Sequence, residues 1–183
     1  MFPLRMAFAA TLTLAAGTVV GQASAATIGL VPHRAVYDIF LKEASDRSGI
    51  EGVRGRMVYE FSGSSCKGFN TQFRFVTRID VGDGVRVTDQ RSTTFEDVSA
   101  GKFRFDNKSF TDDQLDKDVS GAAAEAGDKV TIKLTGPNQR ALELADSRFP
   151  AEHMLEVIAR ARKGERVFES RIFDGSEDGD QTF

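Results

Sequence analysis

The stretch Gly68-Phe69-Asn70-Thr71-Gln72-Phe73-Arg74-Phe75-Val76-Thr77-Arg78-Ile79-Asp80 decides the fold. Its odd positions carry Phe, Thr, Phe, Phe, Thr and Ile, while the even positions from Asn70 to Asp80 are polar except for Val76. Successive side chains of a strand point to opposite faces, so this period of two predicts one face packed inward and one meeting water. Asp83-Gly84 follows, between Val81 and Val85, and such a dipeptide supplies the positive φ angles of a tight hairpin turn. Residues 68–80 and 85–96 are therefore expected to pair antiparallel.

Working outward, the same reading places strands over 34–41, 53–61, 102–106, 116–123, 129–134, 140–144 and 166–173, separated by turn-forming groups such as Gly136-Pro137-Asn138. Only 150–163 has the marks of a helix. Pro150 stands in its first turn, Glu152 is early, Arg160, Arg162 and Lys163 are late, and Gly164 closes it. Its stripe of Met154, Leu155, Ile158 and Ala161 has the spacing of a helix lying on a sheet. No internal repeat is visible, which disfavours a propeller or solenoid. The expectation is a mainly β protein.

The chain has 183 residues, 40% hydrophobic and 28% charged, the balance of an ordinary globular protein. Arg5, an apolar run over 6–20 and Ala23-Ser24-Ala25 form the three regions of a secretory signal peptide cut after Ala25. That run is shorter than the ~20 residues a bilayer-spanning helix needs, and no cysteine near the cut is available for a lipid anchor. Residues 26–183 are enough for a single β-rich domain. Losing Arg5 leaves 23 basic against 27 acidic side chains, a net charge of −4 with His neutral, and no basic face for nucleic acid.

Chemistry is thin. The sequence contains no nucleophile elbow, P-loop, dinucleotide-binding glycine pattern or paired metal-ligating histidines, so neither a cofactor nor a metal is expected. His33 and His153 are the two imidazoles, and neither sits in a zinc-ligand spacing. His153 next to Glu152, early in the helix, reads as a buried or capping residue. Cys66 is the one thiol and lies between two expected strands of an exported protein, which makes it half of a disulfide without its partner rather than a catalytic thiolate. Asp174-Gly175-Ser176-Glu177-Asp178-Gly179 opens like a calcium loop, but the acid required at the twelfth position has no place in the sequence, and a solvated acidic turn fits better. An outer-membrane barrel would need girdles of interfacial aromatics, and the chain has no Trp and two Tyr.

Taken in order, His33-Arg34-Ala35-Val36-Tyr37-Asp38, Gly55-Arg56-Met57-Val58-Tyr59-Glu60-Phe61, Cys66-Lys67-Gly68-Phe69, Phe73-Arg74-Phe75-Val76-Thr77-Arg78 and Phe149-Pro150-Ala151-Glu152-His153 resemble the EipB-like cell-envelope integrity proteins of Gram-negative bacteria. The resemblance implies a periplasmic protein whose long, curved antiparallel sheet spirals into an incomplete β-barrel around a partly enclosed cavity, with one associated helix at about 150–163. It also implies a disulfide from the cysteine matching Cys66 to one near the family's C-terminus, a region this sequence lacks, so C-terminal strands are expected to be missing.

The reading that follows is a non-enzymatic periplasmic protein supporting cell-envelope integrity. It would act by holding an envelope protein partner or an apolar, lipid-like ligand on the concave face, with Phe69, Phe73, Phe75, Phe103 and Phe105 as groove candidates. The same residues would serve equally as packed core. A lipocalin-like carrier shares the cavity, and a thiol hydrolase using Cys66 with His33 or His153 is the rival of another class.

Overall fold

The computed structural model describes residues 29–135 and 139–176. Eight strands follow one another as a meander: β1 (His33–Phe40), β2 (Gly52–Ser64), β3 (Gly68–Val81), β4 (Gly84–Asp97), β5 (Lys102–Thr111), β6 (Gln114–Ala126), β7 (Lys129–Leu134) and β8 (Ala141–Ala145). Each pairs antiparallel with its sequence neighbours, so β1 and β8 are the edges of one open, curved sheet. After β8 come β9 (Ser147–Arg148), α1 (Pro150–Arg162) and β10 (Arg171–Ile172).

The β3–β4 hairpin forms as its alternation requires, with Phe69 opposite Glu96 and Phe73 opposite Ser92. Its two loop residues are Gly82 and Asp83, one position earlier than expected, and Gly82 carries the positive φ of 35°. The β5 strand runs five residues past the expected end at Asp106. Its turn is Asp112-Asp113, with φ of 48° and 63°, the left-handed pair of a two-residue hairpin. The turn is pinned to the neighbouring strand, because Asp112 Oδ1 accepts from Val87 N and Asp112 N donates to Val87 O, both at 2.8 Å.

The strand expected over 166–173 is corrected to Arg171–Ile172, which pairs parallel with Ser147–Arg148. Side chains of the preceding residues hold α1 instead of building a ladder. The Arg160 guanidinium sits 4.6 Å over the Phe168 ring, and His153 Nδ1 shares a hydrogen bond with Ser170 Oγ at 3.1 Å. The Gly136-Pro137-Asn138 turn and the expected acidic turn beyond Ser176 lie outside the described residues.

Register places Phe69, Phe73, Phe103, Phe105, Val119, Ala123 and Ile132 on one face, and this face is used in two ways. Toward β8 it is filled: Phe103, Phe105, Val119, Ala123, Val130, Ile132 and Leu134 pack with Phe149 and Phe173. Phe103 stacks on Phe149 at 5.1 Å between centroids and meets Phe173 edge-on at 6.1 Å. A second, smaller cluster of Phe61, Phe69 and Ala151 joins β2 and β3 to α1, with Tyr59 and Met154 against it. The helix thus turns Ala151 and Met154 to the sheet, while Ala161 of the expected stripe is exposed.

Candidate functional site

Between these two packed regions the face stays open. A cavity of about 600 Å³ lies over the middle of the sheet, with Pro150, Ala151 and Met154 of α1 as its roof. The β2–β3 side supplies Tyr59, Phe61, Phe69 and Phe73. The β4–β5 side supplies Thr94, Ser92, Gln90, Asn107 and Ser109, and Thr71 stands at the seam. The inward positions of β4 are Arg86, Thr88, Gln90, Ser92, Thr94 and Glu96, without one apolar residue, although the strand is central. A packed interior would leave those groups desolvated and costly, so the polar row is itself the reason the face cannot close there.

Glu96 joins the cavity to its roof. It is 3% exposed, and its carboxylate accepts hydrogen bonds from Ala151 N and Glu152 N, both at 2.7 Å. These are amides of the first turn of α1, whose N-cap, Phe149, has no side-chain acceptor to offer. An acid on β4 therefore performs the capping that no local residue can. Burial pushes its carboxyl up to about 7, against the opposing pull of the two amides. Glu152 is likewise raised, first by burial and then by the Glu125 carboxyl beside it, although Arg148 lies 3.1 Å away.

Of the groove candidates, Phe69 and Phe73 line the cavity, Phe75 stands beside Phe73, and Phe103 and Phe105 belong to the filled core. Cys66 is free and exposed in the β2–β3 turn and makes no hydrogen bond to a described residue. His33 Nδ1 is held by the Val31 carbonyl at 2.8 Å and His153 Nδ1 by Ser170 Oγ, and neither imidazole hydrogen-bonds the thiol. Among the described residues no cluster of His, Cys, Asp and Glu is placed to hold a metal, and no helix is long and apolar enough to cross a membrane. Glu96 and the polar row of β4 are cavity residues that a strand-by-strand reading passes over. Carrying the Phe face of β3 across the hairpin would have exposed them, since every inward partner on β4 is hydrophilic.

A family model described as EipB-like matches residues 24–183. The cell envelope integrity protein EipB of Brucella abortus (strain 2308) is 46% identical over 173 residues, which is 94% of this chain and 62% of that protein. The crystal structure of a β-barrel-like protein of a domain of unknown function from Brucella abortus superposes with a TM-score of 0.77 at 49% identity, over 82% of this chain and 63% of that one. The chain thus spans less than two thirds of either relative's length.

Proposed function

Starting from a chain that belongs to the EipB-like family, we propose that it supports cell-envelope integrity from the periplasm, without catalysis, by binding an envelope molecule in the cavity under α1. The observation that carries the reading is the cavity itself: aromatic on one wall, polar on the other, and roofed by a helix that a buried acid ties to the sheet. Pockets of several hundred Å³ with an apolar wall and a few fixed polar groups are the usual form of a ligand site. The name of the Brucella relative supplies the physiological setting. Export with cleavage after Ala25 supplies the compartment, and intact-mass measurement of periplasmic material tests it, a retained Met1 being the contrary result.

The rival readings draw less support. A lipocalin-like carrier would use the same cavity and differ only in releasing its ligand to an acceptor. A thiol hydrolase would need Cys66 hydrogen-bonded to a base and within the cavity, and it stands exposed in a hairpin turn, outside the cavity lining, with no hydrogen bond to either imidazole. Titration with the neutral fluorophore N-phenyl-1-naphthylamine tests the proposal. Saturable binding is expected, and it should weaken in Ser92→Phe, which sets a ring in the middle of the cavity floor, with the far-UV spectrum unchanged. Binding that is absent, or indifferent to that substitution in a folded variant, refutes it.

A further inference from the structure

Resting on the cavity-binding reading above, we infer that the bound molecule carries a saccharide, held with its ring faces on the aromatic wall and its hydroxyls on the polar row of β4 and β5. The register lays the two chemistries side by side. Tyr59 is opposite Phe73, Phe73 opposite Ser92, and Ser92 opposite Asn107, so one line across four strands passes from rings to hydrogen-bonding groups, closed at its end where the Asn107 amide donates to Gly175 O at 2.6 Å. At ~4.8 Å between strands this line is roughly 14 Å long, the scale of a disaccharide. The adjacent lines place Thr71 and Thr94 on one side, beside a Phe61 ring already packed on Phe69, and Phe75, Gln90 and Ser109 on the other.

A purely aliphatic ligand explains the aromatic half alone. Ser92, Thr94, Gln90 and Ser109 make no side-chain hydrogen bond to another described residue, and none has a buried unsatisfied atom, so their donors and acceptors are free to meet a ligand. An acyl chain laid over them would strip their water and return nothing. A pyranose ring answers both halves, since its C–H face stacks on a phenyl or phenol ring while its equatorial hydroxyls both donate and accept at the ring edge. Charge does not favour an ionic ligand. The lining holds cations and anions together, and Arg91 is already paired with Asp89 at 2.6 Å and Lys108 lies 3.8 Å from Asp118.

The test compares two amphiphiles with the same twelve-carbon chain, dodecyl-β-maltoside and octaethylene glycol monododecyl ether, together with free maltose. Isothermal titration of the full chain is run below micelle-forming concentrations. The maltoside is expected to bind at least tenfold tighter than the ether. Thr94→Val and Gln90→Leu, each checked for a native far-UV spectrum, should weaken the maltoside roughly three- to tenfold and leave the ether unchanged. Free maltose binding as well as the maltoside also supports a saccharide site and shows that the chain adds nothing. Equal affinity for the two amphiphiles, or variants that shift both alike, overturns the saccharide inference while leaving the cavity-binding reading in place. If neither amphiphile nor maltose binds, that reading falls and this one with it.

Discussion

Replacing Glu96 by Ala should destabilise the protein by an amount that depends on pH, and in a direction opposite to the usual behaviour of a capping carboxylate. Removing the side chain leaves Ala151 N and Glu152 N without an acceptor at the buried start of α1. Each orphaned amide costs about 1–3 kcal/mol, so the loss is about 2–6 kcal/mol while Glu96 is uncharged. Its carboxyl is raised in the folded protein from 4.5 to about 7. An acid raised on folding favours the native state when protonated, so its contribution is complete at pH below 4.5 and is lost as pH climbs through 7. The difference of about 2.5 pH units is worth roughly 3 kcal/mol. The penalty of Glu96→Ala should therefore shrink by about 3 kcal/mol between pH 4.5 and pH 8. Urea unfolding of both proteins at the two pH values, followed by circular dichroism, measures it. A penalty that is constant, or larger at pH 8, would show that the two amides hold Glu96 ionised in the fold and that the balance between burial and donors has been struck wrongly.

Three further outcomes are expected. Phe103→Ala, in the filled core, should cost about 3–5 kcal/mol, while Phe73→Ala, at the half-buried cavity wall, should cost about 1–2 kcal/mol; similar urea midpoints for the two would contradict the division of the face. Gly68 has φ of 80°, and a Cβ there would lie 2.8 Å from the Glu96 carbonyl oxygen, so Gly68→Ala should lose about 2–4 kcal/mol in thermal unfolding, whereas Gly84→Ala, with open space around it, should be neutral or slightly stabilising. Cys66 should react fully with a maleimide in the native protein, and Cys66→Ser should change stability by less than about 0.5 kcal/mol; a buried, unreactive thiol would oppose its placement at the hairpin tip.

The meander was legible because its signals are local. Period-two alternation and hairpin turns fix β2, β3, β4 and β7 within a few residues, and Pro150 with Gly164 brackets α1. Failures came where a distant contact decided. Residues 166–170 read as the start of a strand, but Phe168 and Ser170 are spent on Arg160 and His153. The length of β5 hid behind an Asp112-Asp113 turn, a pair less suited to positive φ than Asn-Gly, which holds through its bonds to Val87. Of the site, the aromatic half announced itself as a Phe stripe. The polar half did not, because Gln90, Ser92 and Thr94 look solvent-facing until the register assigns them a side. Nor could composition separate Phe73 at a cavity from Phe103 in a core; that depends on where Phe149 and Phe173 return to the sheet.

The acid on β4 that closes the start of α1 also sets an order of assembly. Each strand of the sheet pairs with its sequence neighbour, so the hairpins can zip one after another, each within microseconds of the last. A helix of 13 residues is marginal alone in water, and this one begins at a residue that cannot cap it. Its partner arrives from 55 residues upstream. Helical signal should therefore trail the strand signal in refolding, and an antibody or probe that reads the roofed cavity should report later than either. Any cellular factor that acts on the nascent chain will meet a curved, open trough first, and the roofed site only once α1 has docked on Glu96.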